Sequence, residues 1–179
     1  MDWLVGLGIL VLVILLIVVI GKRANVADWE SPIINVIDGW MRIYCRNYHR
    51  LEHEPLELPQ QGGVLVVSNH VSGLEPLIKL TACNRPLRYL IAKEEYDIPV
   101  LHHLLKGVGC IPVERTRRPE IAFRAAIKAL KNGEALGIYP HGGFCLDHED
   151  KAVKAGVLRL AKLTGAKIIP TRVRYQETG

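Results

Sequence analysis

Hydrophobic and polar positions divide the chain into three stretches with different patterns. Residues 3–20 form an apolar run without a charged side chain, and residues 25–50 repeat apolar positions at helical spacing. Residues 64–173 alternate short apolar runs with amphipathic segments, separated by turn residues. Short apolar runs of this kind are typical of buried strands, and their alternation with helices is typical of a parallel sheet. The pattern predicts an α/β domain preceded by two helices.

The apolar run at residues 3–20 is long enough to cross a membrane. As a helix it would extend about 27 Å, close to the ~30 Å hydrocarbon core of a bilayer. A cleaved signal peptide carries basic residues before its apolar run, but here Asp2 precedes the run and Lys22 and Arg23 follow it. We therefore expect residues 1–23 to be a single-pass transmembrane anchor, with a buried core helix as the alternative. The positive-inside rule then places the rest of the chain on the cytoplasmic face of the membrane.

Residues 24–58 are predicted to form an amphipathic helical segment. Trp40 and other apolar residues share one face of the expected helix, and the opposite face carries Asp38, Arg42 and Arg46. A helix of this kind can lie in the membrane interface with its tryptophan at headgroup level. It can equally pack against the domain that follows, and the sequence does not separate the two arrangements.

Residues 59–179 are predicted to form the α/β domain. The predicted strands cover residues 64–67, 87–92, 110–113, 135–139 and 167–173, and the predicted helices cover residues 76–82, 98–105, 121–130 and 151–163. Strands that alternate with helices across short loops usually pair in parallel. We therefore expect a mixed, largely parallel sheet flanked by helices.

Composition narrows the possible partners of this domain. The chain has 179 residues, a formal net charge of +5 and 6% aromatic residues, and no dense Lys/Arg run alternates with aromatics. This composition argues against nucleic acid and favours an anionic membrane surface or a phosphorylated small molecule. The four cysteines form no C-x-x-C pair, and His49 and His53 have no third ligand nearby in the sequence. We therefore expect neither a disulfide framework nor a metal site.

Three of the predicted strands end in polar clusters. These clusters are Asn69-His70 with Glu75, Glu114-Arg115, and Tyr139-Pro140-His141-Gly142-Gly143. The carboxyl ends of parallel strands meet at one edge of a sheet, which is where open α/β folds bind ligands. We expect the three clusters to converge on one site.

His70 and Glu75 lie five residues apart across a strand-to-helix turn, close enough for the carboxylate to reach the imidazole. A histidine with a nearby carboxylate is suited to act as a general base, because the carboxylate fixes the tautomer and stabilises the imidazolium. Ser72 and Glu75 also match the S-x-x-E capping box, in which Glu75 would only cap the following helix. The spacing alone favours neither role.

The second and third clusters each allow one interpretation that involves a ligand and one that does not. Arg115, with Arg117 and Arg118 just beyond it, can hold a phosphate through charge-assisted hydrogen bonds or belong to a solvated basic loop. Gly142 and Gly143 let a backbone approach a ligand closely, or form a tight turn without a ligand.

Four segments together resemble the motifs of the glycerolipid acyltransferases, the 1-acylglycerol-3-phosphate acyltransferase family. Residues 69–75 resemble the H-x4-D motif that follows an apolar strand, with a glutamate in the place of the aspartate. Residues 109–115 are similar to the second motif, a glycine and a strand that ends in arginine. Residues 139–143 occupy the place of the F-P-E-G-T motif, and residues 168–172 resemble the fourth motif, an apolar strand with a central proline.

The resemblance implies the transfer of an acyl group to a lipid hydroxyl in phospholipid biosynthesis, at the cytoplasmic face of a membrane. The donor would be acyl-CoA or acyl carrier protein, and no metal, cofactor or acyl-enzyme is implied. His70 would deprotonate the acceptor hydroxyl with the help of Glu75. Arg115 would hold the phosphate of the acceptor, and Lys93 matches a lysine of the same pocket. The other substrate-binding residues that the motifs imply are Asn69, Tyr139, Pro140, His141, Gly142 and Gly143.

The third motif departs from the family pattern at two places. His141 replaces a glutamate, and Gly143 and Phe144 replace a threonine and an arginine. Lysophosphatidic acid is the expected acceptor, and membrane lipids and the acyl donor are the expected partners. The departures leave two alternatives open, namely an acyltransferase for a different lipid acceptor and a non-catalytic membrane lipid-binding protein on the same fold.

Overall fold

The computed structural model describes residues 2–146 and 152–176 of the chain. The helices are α1 (Asp2–Ala24), α2 (Pro32–Asn47), α3 (Glu75–Ala82), α4 (Lys93–Tyr96), α5 (Pro99–Gly107), α6 (Pro119–Lys131) and α7 (Gly156–Thr164). The strands are β1 (Val64–Ser68), β2 (Leu87–Ala92), β3 (Ile111–Val113), β4 (Ala135–Ile138) and β5 (Lys167–Thr171). The elements of the domain alternate between strand and helix, as the sequence pattern predicts.

The five strands form one sheet in the order β3-β2-β4-β1-β5. All four strand pairings in the described part of the chain are parallel. An isolated antiparallel bridge joins His70 to Cys145 beyond the ends of β1 and β4. The prediction of an α/β domain with a largely parallel sheet is confirmed. Because the strands are parallel, their carboxyl ends lie along one edge of the sheet.

Both faces of the sheet are covered, which explains why its strands are continuously apolar rather than alternating. In β1, Leu65 packs into a cluster with Ala126 and Leu130 of α6. Its neighbours Val64 and Val66 pack into a second cluster on the other face, which includes Leu105 of α5. Successive side chains of a strand point to opposite faces, so β1 contributes to both cores. The domain is a three-layer α/β/α structure.

Helix α1 lies outside these cores. Among residues 2–146 and 152–176, it is the one helix long and apolar enough to cross a membrane, and 6% of its most apolar window is buried. This exposure argues against the alternative of a buried core helix. Near its end, Gly21 lies against Gly39 of α2 so closely that a methyl group on Gly39 would overlap the Gly21 carbonyl. The indole Nε1 of Trp40 donates to the carbonyl of Ile17 at 3.0 Å.

The structure shows which side of α2 contacts the domain, a point that the sequence leaves open. Asp38 and Arg42, on the face opposite the apolar one, are 3% and 7% exposed, whereas Ile33 is 73% exposed. Arg42 donates to Asp38 at 2.6 Å and to the carbonyls of Thr81 and Cys83 at 2.6 and 3.0 Å. These carbonyls belong to the C-terminal end of α3, where backbone acceptors lack helical partners. The side of α2 that carries Asp38 and Arg42 therefore docks on the domain, while Arg46 further along the helix is exposed.

The predicted helix of residues 151–163 begins later than expected. α7 starts at Gly156, and residues 152–155 are not helical. The backbone N–H of Lys154 donates to the carbonyl of Pro140 at 2.9 Å, so this segment returns to the end of β4 before the helix begins. Lys151, the first residue of the predicted helix, lies outside the described residues. A tertiary hydrogen bond overrides the helical periodicity here.

Candidate active site

The carboxyl edge of the sheet opens onto a cavity of about 570 Å³. The turns after β1, β3 and β4 all contribute to it, so the three polar clusters converge as expected. Six of the ten residues predicted for the site line the cavity, namely His70, Arg115, Tyr139, Pro140, Gly142 and Gly143.

His70 and Glu75 are in direct contact at the wall of this cavity. His70 Nδ1 lies 2.9 Å from Glu75 Oε2, and the side chains are 15% and 0% exposed. A carboxylate can only accept hydrogen bonds, so Nδ1 carries the ring proton in this contact and Nε2 is left with its lone pair. A histidine held in this tautomer can accept a proton at Nε2.

Glu75, the first residue of α3, also accepts hydrogen bonds from the backbone of the turn that precedes this helix. Its carboxylate accepts the backbone N–H of Ser72 at 2.8 Å and that of Val71 at 3.2 Å. The second half of a capping box is missing, because Ser72 Oγ accepts the N–H of Leu74 instead of that of Glu75. The two interpretations left open by the spacing therefore coexist in one carboxylate. The backbone hydrogen bonds fix Glu75 in the position from which it holds His70.

Two aromatic rings cover the faces of the His70 imidazole. Tyr139 stacks on one face with ring centroids 3.8 Å apart and an interplanar angle of 12°, and Phe144 lies 4.3 Å away at 32°. Tyr89 stacks in turn on Tyr139 at 5.9 Å, in space that exists because Gly137 has no side chain. Burial raises the pKa of the Tyr139 phenol above its usual value, with a further contribution from Glu75. The Tyr139 ring is therefore neutral and, by stacking on the imidazole, restricts its orientation.

Arg115 is the cation that follows β3 at the cavity. Its side chain is exposed and lines the cavity, and no salt bridge reaches it within the described part of the chain. Arg117 and Arg118 are exposed in the same turn but do not line the cavity. Of these three arginines, Arg115 is the one positioned to hold an anionic group of a ligand.

Besides Glu75, which contacts His70, three predicted site residues do not line the cavity. Asn69 bonds to the backbone of Val173, donating from Nδ2 and accepting at Oδ1, both at 2.9 Å. Lys93 is exposed and pairs with Asp97 at 2.6 Å, and this hydrogen bond raises the pKa of Lys93. His141 is not among the residues that line the cavity, and its buried Nδ1 has no hydrogen-bond partner among residues 2–146 and 152–176. The departure from the family pattern at His141 therefore does not place an imidazole inside the cavity.

The end of β5 and the residues that follow it bond to β1 and to the β1–α3 turn. Thr171 Oγ1 donates to the carbonyl of Val67 at 3.1 Å, and Val173 bonds to Asn69. The hydroxyl of Tyr175 donates to Glu75 Oε1 at 2.9 Å and lies 2.9 Å from Ser72 Oγ. Alternate residues of one extended segment thus bond to the end of β1 and to successive parts of the β1–α3 turn.

Sequence reasoning missed several residues of the site. Lys154 lines the cavity with its Nζ against Gly142, and it was hidden inside the predicted helix. Tyr89 lies within a predicted strand, and nothing in its pattern indicates a stack with Tyr139. Lys79 is buried at 4% exposure one helical turn after Glu75, and its i, i+4 spacing from that carboxylate was the available signal.

The described residues contain no group of three or more His, Cys, Asp or Glu side chains arranged to hold a metal ion. The expectation that the site needs no metal and no cofactor stays a prediction. The described residues bring together a histidine held by a buried carboxylate and an exposed arginine at one cavity.

The fold and the site define an α/β protein with a histidine–carboxylate pair at a ligand cavity. Residues 46–174 match the sequence profile of the family described as Acyltransferase, so the chain belongs to the acyltransferase family. The resemblance derived from the four motifs is confirmed at the level of the family.

Individual proteins similar to this chain carry related names. A 1-acyl-sn-glycerol-3-phosphate acyltransferase of Borreliella burgdorferi is 29% identical over 115 residues, which cover 63% of this chain and 46% of the relative. One of Bacillus subtilis is 28% identical over 124 residues, covering 68% and 61%. The chain thus spans less than two thirds of the length of either relative.

The crystal structure of the 1-acyl-sn-glycerophosphate (LPA) acyltransferase PlsC from Thermotoga maritima has a similar fold. The TM-score is 0.64 at 21% identity, and the match covers 80% of this chain and 59% of that one. Because the sequence identity is only 21%, this structural similarity supports the assignment of the fold and nothing further.

Proposed function

We propose that this protein transfers a fatty acyl group from acyl-CoA or acyl carrier protein to the hydroxyl of a lysophospholipid, with lysophosphatidic acid as the acceptor. The observation that carries the proposal is the contact of 2.9 Å between His70 and the buried Glu75, at a cavity that Arg115 also lines. The names of the similar proteins support lysophosphatidic acid as the acceptor and phospholipid biosynthesis as the process.

In the proposed reaction, His70 acts as a general base. Its Nε2 takes the proton of the acceptor hydroxyl while the hydroxyl oxygen attacks the carbonyl carbon of the thioester. Glu75 accepts the Nδ1 hydrogen and stabilises the imidazolium that forms. The C–S bond then breaks, and the departing thiolate receives the proton from Nε2. General-base catalysis of this kind contributes roughly 10²- to 10⁴-fold to the rate, and no acyl-enzyme is formed.

Arg115 is proposed to bind the phosphate of the acceptor. A guanidinium forms two parallel hydrogen bonds with a phosphate, which fixes the orientation of the ligand as well as its affinity. Lys154 also lines the cavity and adds a second positive charge. His70 and Arg115 line the same cavity, so one acceptor could have its hydroxyl at His70 and its phosphate at Arg115.

The two N-terminal helices are proposed to hold this site at a membrane. α1 has the length and composition of a membrane-spanning helix, and Lys22 and Arg23 in its last turn favour a cytoplasmic location for the domain. Ile33 and Tyr44 of α2 are exposed, so part of the apolar surface of α2 is available to the membrane interface. A lipid acceptor could then enter the cavity without leaving the membrane surface.

The test uses the full chain, purified in detergent, with acyl-CoA or acyl-carrier-protein donors and lysophosphatidic acid. We expect release of the free thiol together with formation of the diacyl product, and loss of both in His70→Ala. Full activity of His70→Ala would contradict the proposed mechanism. Product formation with a different lysolipid, and none with lysophosphatidic acid, would contradict the proposed acceptor.

One observation favours a lipid acceptor other than lysophosphatidic acid. The third motif lacks the glutamate and arginine of the family, and His141 in the place of the glutamate does not line the cavity. An acceptor panel with phosphate-free lysolipids therefore belongs in the same assay. If no lysolipid releases thiol, the non-catalytic lipid-binding alternative is favoured instead.

A further inference from the structure

Four charged side chains of the described residues are buried in the protein, namely Asp38, Arg42, Glu75 and Lys79. Asp38 and Arg42 form a salt bridge with each other at 2.6 Å. Glu75 and Lys79 remain, at 0% and 4% exposure, one turn apart on the same face of α3. Lys79 is thus the buried cation beside the carboxylate that holds His70.

Lys79 has a fixed position between α3 and the sheet. Its Nζ donates to Thr171 Oγ1 at 3.0 Å, and this hydroxyl donates to the carbonyl of Val67 at 3.1 Å. Lys79 does not line the cavity, so it cannot contact a ligand there directly. Burial lowers the pKa of Lys79 to about 8, and the charge of Glu75 opposes this lowering.

The buried carboxylate of Glu75 needs a compensating positive charge, which Lys79 can supply. Burial of an ionised carboxylate is costly unless hydrogen bonds and an opposite charge compensate it. Backbone N–H groups and the Tyr175 hydroxyl supply hydrogen bonds to Glu75, but they supply no charge. A carboxylate without a balancing cation favours a proton on the neighbouring His70. An imidazolium has no lone pair and cannot act as a base.

We propose that Lys79 is a positioning residue that balances the charge of Glu75, so that the His70 ring stays neutral and its Nε2 is free to accept a proton. This inference rests on the proposed function, in which His70 is the base. Lys79 acts through Glu75, and substitution of the lysine changes the proton affinity of His70 without changing the lining of the cavity.

Other charged and titratable groups also lie near Glu75 and Lys79. Lys79 faces the thiol of Cys83 at the end of its own helix, with the Asp38–Arg42 pair of α2 beyond that thiol. β5 presents the uncharged Thr171.

His70 is faced by Tyr139, and Tyr175 reaches it through Glu75. Burial raises the pKa of both phenols, so both stay neutral around neutral pH. Arg115 and Lys154 lie at the cavity itself.

The test is an NMR titration of the His70 ring in the full chain in detergent micelles, with its signal assigned by comparison with His70→Ala. Lys79→Gln removes the charge but keeps a donor for Thr171. We expect this variant to raise the titration midpoint of His70 by about one pH unit. Lys128→Met, which removes an exposed lysine of α6, should leave the midpoint unchanged. In the activity assay, the acid limb of kcat/KM should move by the same amount as the midpoint.

A double-variant cycle identifies the route of the effect. In a Glu75→Gln background, Lys79→Gln should shift the His70 midpoint by less than about a third of its effect in the wild type. An equal shift in both backgrounds, or a shift no larger than that of Lys128→Met, would overturn the inference.

Circular dichroism decides which variant is used. If Lys79→Gln loses the wild-type spectrum, the apolar Lys79→Met variant replaces it. Loss of the fold in both would make Lys79 a structural residue and would also overturn the inference.

The two measurements distinguish failure of this inference from failure of the proposed function. If the wild type transfers no acyl group, the proposed function fails while the titration still measures the coupling of Lys79 to His70. If acyl transfer depends on His70 but the His70 titration midpoint is the same in the wild type and in Lys79→Gln, only the further inference fails.

Discussion

The phenol ring of Tyr139 lies face to face with the imidazole of His70, with centroids 3.8 Å apart. Glu75 holds the same imidazole by one edge, through Nδ1. The stack and the hydrogen bond together restrict both rotation and tilt of the ring. An aromatic pair contributes about 0.5–1.5 kcal/mol beyond the burial of its surface, which is enough to favour one ring orientation.

Replacement of Tyr139 separates the role of its ring from that of its hydroxyl. Tyr139→Leu should lower kcat by up to about 10-fold, because the lost stack is worth about 1 kcal/mol. Tyr139→Phe keeps the ring and should stay within about twofold of the wild type. Steady-state kinetics with lysophosphatidic acid measures both. A larger loss in Tyr139→Phe than in Tyr139→Leu would show that the hydroxyl, not the stack, matters.

Arg115 should affect acceptor binding more than turnover. Arg115→Ala should raise KM for a phosphorylated acceptor by about 10- to 100-fold, since a hydrogen bond to a charged group contributes about 1.5–3 kcal/mol. Arg117→Ala is the matched control, because Arg117 is exposed in the same turn and does not line the cavity. A comparison of KM for lysophosphatidic acid and a phosphate-free lysolipid completes the test. An unchanged KM would mean that Arg115 does not contact the phosphate.

The docking of α2 should depend on one buried arginine. Arg42→Met leaves Asp38 buried without its cation and should lower the free energy of unfolding by about 3–5 kcal/mol. Arg46→Met, at an exposed position of the same helix, should change it by less than about 0.5 kcal/mol. Addition of Asp38→Asn to Arg42→Met should recover part of the loss, because the unpaired charge is removed. Urea unfolding monitored by tryptophan fluorescence provides the measurement.

Lys79 should make stability depend on pH in the alkaline range. Its pKa is about 8 in the folded protein against 10.5 for an ordinary lysine. Between these values the unfolded chain binds more protons than the folded one, so stability rises with pH. The difference in unfolding free energy between wild type and Lys79→Met should grow by about 3 kcal/mol from pH 8 to pH 10.5. Lys128→Met should show no such growth, and a flat difference for Lys79→Met would refute the depressed pKa.

The strands and the convergence of the three clusters could be predicted because they depend on local pattern and on one rule of topology. Short apolar runs such as that of β1 belong to a sheet covered on both faces, and parallel strands bring their carboxyl ends together. The contact of His70 with Glu75 required only that a turn of five residues fold back. The domain boundaries at residues 23 and 58 stay predictions.

The rest of the site depends on contacts between distant parts of the chain. The sequence of α2 does not show that Arg42 is buried, because its partners include the end carbonyls of α3. Lys154 falls within a helical pattern, and the hydrogen bond to Pro140 that keeps it out of the helix is not encoded locally. The stack of Tyr89 on Tyr139 requires that neighbouring strands pair in one register, with Gly137 opposite Tyr89.

The extended segment that carries Thr171, Val173 and Tyr175 has a consequence for folding order. Its hydrogen bonds to the end of β1 and to the β1–α3 turn join residues that are 100 to 104 positions apart in the chain. Contacts of such long sequence separation form late, because closing a long loop costs entropy before any contact is made. A chain synthesised from its N-terminus therefore has α1 available for the membrane before Glu75 receives its hydrogen bond from Tyr175. Under the proposed membrane anchoring, α1 would be in the bilayer before the site is complete, and the site would form next to the proposed lipid acceptor.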